Sequence, residues 1–165
     1  MGIDNAGSPV TDTETAGAVA RPPLLFLSAL LLGLAVDHLL PLAFKIPRTD
    51  MHRFIAGTLL LVGMAVFAAS VRDFSTAGTP VQGTKPTRAL VTSGIFGWSR
   101  NPIYVGMFLL YVGIGVAVRS TSILALTLPL ALVMRYGVIA REETYLERRF
   151  GEAYRAYKTR VRRLL

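Results

Sequence analysis

At 165 residues, with 52% hydrophobic side chains and a mean hydropathy of +0.48, the chain is one domain's worth of sequence and too apolar for an ordinary soluble domain of its size. It has no cysteine, which excludes disulfides, thiol nucleophiles and cysteine-ligated metal; its two histidines, His38 and His52, lie on different segments without ligand-spaced partners, so no metal is expected. The formal net charge of +8 is concentrated from Arg141 onward, and beside apolar spans such an excess reads as attraction to anionic lipid head groups rather than to nucleic acid.

Residues 1–21 are rich in Gly, Ala, Thr, Ser and acidic side chains and cannot bury enough apolar surface to order themselves, so they are predicted to be a disordered tail. The tail lacks the basic start of a secretory signal, and the first apolar run reads as a retained span. Residues 22–165 are predicted to form a single transmembrane domain. Apolar runs near the roughly 20 residues that cross a bilayer occur at 24–44, 54–71, 103–118 and 122–140. The fold class is therefore all-α: an integral membrane helical bundle of about four transmembrane helices, followed by a C-terminal amphipathic cytoplasmic helix. Asp37-His38 and Pro41 interrupt the first run and glycines lighten the third, so a broken or re-entrant helix would change the count by one.

Basic segments beside a span stay in the cytoplasm. With an even number of spans, both termini and the 72–100 connection are then cytoplasmic, and the loops around Arg48 and Arg119 external; the basic 45–53 loop argues against this. Asp37 and Arg135 fall in or near apolar runs, where an ionisable group needs a cavity or a partner. Asp37 either snorkels or pairs with Lys45. Arg135 lies about two helical turns before Glu142 and is the stronger site candidate.

Between the second and third runs, Leu90 to Trp98 is a short apolar segment leading into a turn marked by Gly94 and Gly97, with Trp98 an interfacial anchor. Asn101-Pro102 is a helix start: Asn caps, and Pro tolerates the first helical position. A helix N-terminus with free N–H groups suits a ligand carboxylate, although each of these residues also reads as plain helix-start architecture. Tyr104 shares a face with Asn101, and Arg100 either makes charge-assisted bonds or anchors to head groups. Beyond the fourth run come Glu142 and Glu143. Consecutive residues point about 100° apart on a helix, so one faces a pocket while the other turns to solvent or to a basic partner. Leu146, Phe150, Tyr154, Tyr157 and Val161 then recur at spacings of three and four, the stripe of an amphipathic helix.

Taken together, Leu90-Val91-Thr92-Ser93-Gly94, then Arg100-Asn101-Pro102-x-Tyr104-x-Gly106, then Glu142-Glu143-x-x-Leu146-x-x-x-Phe150-Gly151-x-x-Tyr154-x-x-Tyr157-x-x-x-Val161 resemble the isoprenylcysteine carboxyl methyltransferase family and its phospholipid methyltransferase relatives, over about the C-terminal half of the chain. The resemblance implies an integral membrane enzyme that takes a methyl group from S-adenosyl-L-methionine and gives it to a lipid-linked or small apolar acceptor, a carboxylate, amine or thiol. By position, it makes Asn101, Pro102, Ile103 and Tyr104 a cofactor-contacting tetrapeptide, Leu90, Val91 and Phe96 the lining of an adenosyl pocket, and Glu142 an acidic cofactor contact. Gly94, Arg100 and Glu143 complete the expected cofactor set, within a core spanning 85–165. The chain departs from the family where Asn101 replaces a histidine and where Val138 occupies the place of a substrate-binding arginine.

The residues agree with this reading. A cofactor with a carboxylate, an ammonium, ribose hydroxyls and an adenine needs an anion-binding helix start, a carboxylate and an apolar slot. Methyl transfer by in-line displacement needs mainly alignment, so no general base is required, and Tyr104 and Arg135 are the candidates for orienting the acceptor. Gly106, Gly113 and Gly115 let a neighbouring backbone approach closely or leave room for a ligand tail, the latter giving an acceptor a route from the lipid. The alternatives are an NADPH-dependent sterol-reductase-like membrane enzyme, which calls for more converging cations than Arg88 and Arg100, and a non-enzymatic membrane scaffold.

Overall fold

The computed structural model describes residues 21–40, 48–78 and 89–164, and throughout these the regular structure is helical. The predicted tail at 1–20, the end of the first apolar run, Lys45 and Arg88 lie outside the described residues.

Helix α1, Pro22–Leu39, starts on two prolines, whose missing N–H groups would have had no intrahelical acceptor there. Helix α2, Asp50–Thr76, overruns the predicted 54–71 at both ends. Its start is set by Thr49, whose Oγ1 accepts from the His52 N–H at 3.2 Å while His52 Nδ1 accepts from the Thr49 N–H at 3.0 Å. His52 is thus a capping residue. A 3-10 turn, Gly94–Gly97, precedes α3, Pro102–Ala117. After a tight turn, Ser120 Oγ accepts from the Ile123 N–H at 2.9 Å and starts α4, Thr121–Val133.

The chain then departs from the sequence expectation. The predicted fourth span does not stop near residue 140. It passes through a wide π-helical turn, Met134–Ile139, directly into α5, Ala140–Phe150, giving one continuous helix over Thr121–Phe150 whose apolar part lies before α5. The apolar run ends near Arg141, but helix continuity is a property of the backbone, and the Ala140 N–H simply reaches back five residues to the Arg135 carbonyl. The amphipathic stripe is also cut: Gly151, at φ +51°, ends α5 and α6 runs only over Glu152–Arg160, leaving Val161 in extended conformation.

Helix α3 lies between α2 and α4, and α1 packs on α4. The α2–α3 contact is backbone on backbone: a Cβ on Gly63 would lie 2.9 Å from the Leu110 nitrogen, and one on Gly106 would lie 2.8 Å from the Phe67 nitrogen. Small residues are what permit such van der Waals packing where lipid tails compete for the same surface. Gly113 belongs to this seam, since its Cβ would meet Leu60 at 3.1 Å and Leu59 at 3.2 Å. It is a packing residue, which removes the support for a lateral acceptor route there. The core joins Phe26, Tyr104, Tyr111, Ile123, Leu130, Met134, Val138 and Ile139. Leu27, Leu31, Phe54, Leu61 and Leu128 face outward, as the lipid-facing surface of an integral membrane bundle requires.

Candidate functional site

Because α3 and α4–α5 run as an antiparallel pair, the start of α3 and the start of α5 come together at one end of the bundle. There the Tyr104 hydroxyl donates to Glu142 Oε1 at 2.7 Å. Glu143 points elsewhere. Only 6% exposed, it accepts from Arg163 Nε at 2.9 and 3.0 Å and from Nη2 at 2.6 Å, with Arg100 Nη1 3.2 Å from its Oε1. The two adjacent carboxylates diverge as helix geometry demands, and the second turns to basic partners rather than to solvent. A buried carboxylate persists only with such pairing. Within this cluster Arg100 Nε is a buried donor with no hydrogen-bond acceptor, while Nη1 has the Glu143 ion pair.

Asn101 is not the side-chain cap expected of it. Its Nδ2 donates to the Arg163 carbonyl at 2.9 Å, and its backbone, at φ −132° and ψ 52°, departs from the extended geometry of a capping residue. The Arg100 N–H donates to the Arg162 carbonyl at 2.9 Å, so the chain after α6 lies against the start of α3. Pro102 is fully buried, and Ile103 packs on the core.

The turn before α3 is anchored from α2. Asp73 Oδ2 accepts from the Ile95 N–H at 3.0 Å, and Gly94, at φ +61°, leaves room for it: a Cβ there would sit 2.1 Å from that oxygen. Gly94 therefore serves the anchor. Phe96 is buried against Phe74 of α2, with ring centroids 4.6 Å apart. Leu90 and Val91 remain half-buried. Arg135 is not brought to the Tyr104–Glu142 pair: its guanidinium lies 5.2 Å from the ring centroid of Tyr136, which points outward. Val138 is fully buried.

Four contributors escaped the sequence reading. Asp73 and Arg163 act on partners far along the chain, so no local spacing reveals them. Tyr154 and Tyr157, read as packing positions, do more. The Tyr157 hydroxyl donates to the Phe96 carbonyl at 2.6 Å. Burial, reinforced by the Glu143 charge and opposed by Arg100, pushes the Tyr154 phenol up to about 12, which keeps it a neutral donor at physiological pH. Among the described residues no group of three or more His, Asp or Glu side chains is placed to hold a metal.

A family model described as phospholipid methyltransferase matches residues 51–153. Among curated proteins, the protein-S-isoprenylcysteine O-methyltransferase of Mus musculus is 36% identical over 124 residues, 70% of this chain and 42% of that protein. The protein of the same name from Homo sapiens is 32% identical over 163 residues, 87% of this chain and 56% of its own. The nickel-cobalt-cadmium resistance protein NccN of Alcaligenes xylosoxydans xylosoxydans is 33% identical over 100 residues, 60% and 46% of the two chains. The chain thus spans about half the length of these relatives.

Proposed function

The chain belongs to the phospholipid methyltransferase family, and from that premise we propose that it transfers a methyl group from S-adenosyl-L-methionine to a lipid-like or small apolar acceptor, at a cytoplasmic site formed within residues 85–165. The observation that carries this reading is the Tyr104–Glu142 hydrogen bond, which ties the two matched motifs into one cluster with Arg100, whose buried Nε has no acceptor.

The residues present fit that cofactor. Arg100 would take the carboxylate through Nε, the buried donor that Glu143 does not occupy. The second oxygen of Glu142 and the amide oxygen of Asn101 would take the ammonium and ribose hydroxyls, and the half-buried Leu90 and Val91 would face the adenine. Glu143 is already engaged by two arginines, so it supports the site rather than contacting the ligand.

When bound, S-adenosyl-L-methionine supplies an electrophilic methyl on a sulfonium and leaves as S-adenosylhomocysteine. The chain's contribution is alignment. Tyr104, held by Glu142, presents its oxygen in a fixed place and can orient the acceptor's nucleophilic atom. Arg135, turned onto Tyr136, has no part in this reading. With buried Val138 in place of the arginine that the resemblance expects, a carboxylate acceptor would need another cation. Family membership supports methyl transfer over the nicotinamide reductase and over the scaffold.

Purified protein carrying its co-extracted lipids, incubated with methyl-labelled S-adenosyl-L-methionine, should move label into an organic-extractable product, and the labelled molecule names the acceptor. A chain that neither transfers label nor gains heat stability from millimolar S-adenosylhomocysteine would sink the reading.

A further inference from the structure

Residue 153 is where the family-model match ends, and the chain after it turns back onto the start of α3. At Val161 it leaves α6 in extended conformation, φ −121° and ψ 132°, and crosses the start of α3. There two main-chain carbonyls do the fastening: that of Arg162 accepts from the Arg100 N–H, and that of Arg163 accepts from Asn101 Nδ2, both at 2.9 Å. What holds these carbonyls in place is the Arg163 guanidinium, reaching in from a side chain 34% exposed to a forked grip on Glu143, whose own side chain is 8% exposed. An amide whose nitrogen donates to a fixed carbonyl has its plane fixed, and its oxygen then points in one direction. In Asn101 that oxygen is the acceptor offered to the ligand.

We propose that Arg163 is a positioning residue for the cofactor site: by gripping Glu143 it lays the 162–163 main chain across the start of α3, where it orients the Asn101 side chain and accepts from the Arg100 main-chain N–H. The functional consequence rests on the cofactor reading above; the strap itself does not. Arg163 touches no reacting atom. Its effect passes through Asn101, so the two substitutions should be non-additive.

The test uses the full chain in detergent, with Arg163→Gln, Arg163→Lys, Asn101→Ala and the Arg163→Gln/Asn101→Ala double variant. Calorimetric titration with S-adenosylhomocysteine should give about a tenfold loss of affinity for Arg163→Gln, the scale of one charge-assisted contact. Arg163→Lys, which keeps the charge but not the fork, should lose less, and the double variant should bind no more weakly than Asn101→Ala alone. In cofactor-free protein, hydrogen exchange at the Arg100 amide should speed about tenfold in Arg163→Gln while the Leu109 amide, inside α3, stays protected. Losses that add in the double variant, or Arg100 exchange unchanged in both Arg163 variants, overturn the proposal. A wild-type chain that does not bind S-adenosylhomocysteine overturns the cofactor reading instead, and the exchange data still decide the strap.

Discussion

At the scale of single residues, Glu142 and Glu143 divide two jobs that a charge count would merge. Replacing Glu143 with Ala leaves Arg100 buried without its counter-ion, a change that typically costs about 3–5 kcal/mol. Glu143→Ala should therefore lower Tm by several degrees in thermal scans. Glu142→Gln keeps a partner for the Tyr104 hydroxyl, so it should leave the unfolding free energy within about 1 kcal/mol of wild type while weakening S-adenosylhomocysteine binding. If both variants lose stability alike, the division is wrong. At Gly94, a methyl group would meet Asp73 Oδ2 at 2.1 Å in a backbone region that L side chains avoid. Gly94→Ala should destabilise the turn, and adding Asp73→Ala should recover only the steric part in chemical denaturation. Tyr104, Glu142 and Glu143 could be singled out from the sequence because each sits in a short polar motif at the end of an apolar run, which is local information. The true partner of Asn101 was not, because it lies 62 residues away and competes with a capping role that is equally consistent with the sequence.

At the scale of elements, the wide turn at Met134–Ile139 decides where the carboxylates point. One residue inserted into a helix rotates everything after it by about 100°, and the buried positions accordingly step from Met134 and Val138 to Ile139 and Glu143. Deleting one residue from 134–139 should leave helical content by circular dichroism unchanged and abolish S-adenosylhomocysteine binding. Retained binding would mean that the turn is incidental. The α2–α3 seam carries a second expectation: Gly113→Leu forces a branched side chain against Leu59 and Leu60, so stability and turnover should fall together in thermal and activity assays. Four apolar helices could be read from runs of apolar residues, since desolvation makes such runs unmistakable. The π turn could not, because its cause is a backbone register that no residue type announces; nor could the break at Gly151, where the apolar stripe continues through a glycine as if nothing happened.

For the molecule as a whole, the site sits at one end of an integral membrane bundle, and the basic excess after Arg141 lies at that same end. By the rule that places cations on the cytoplasmic side, a reporter fused after Leu165 should read as cytoplasmic and one inserted near Arg119 as external. An external C-terminus would separate the proposed site from a cytosolic cofactor. Apart from sidedness, one side chain gives the loop beside the site a built-in optical gauge. Trp98, the chain's single tryptophan, is 84% exposed in the segment between the Asp73 anchor and the start of α3. Every photon excited at its red edge therefore comes from that loop, with no background to subtract. Phospholipids brominated at graded depths would then report how far the candidate site lies from the bilayer midplane. Strongest quenching by the shallowest bromines is expected for an indole at the head-group level, and a change in the same emission on adding S-adenosylhomocysteine would register binding beside the loop.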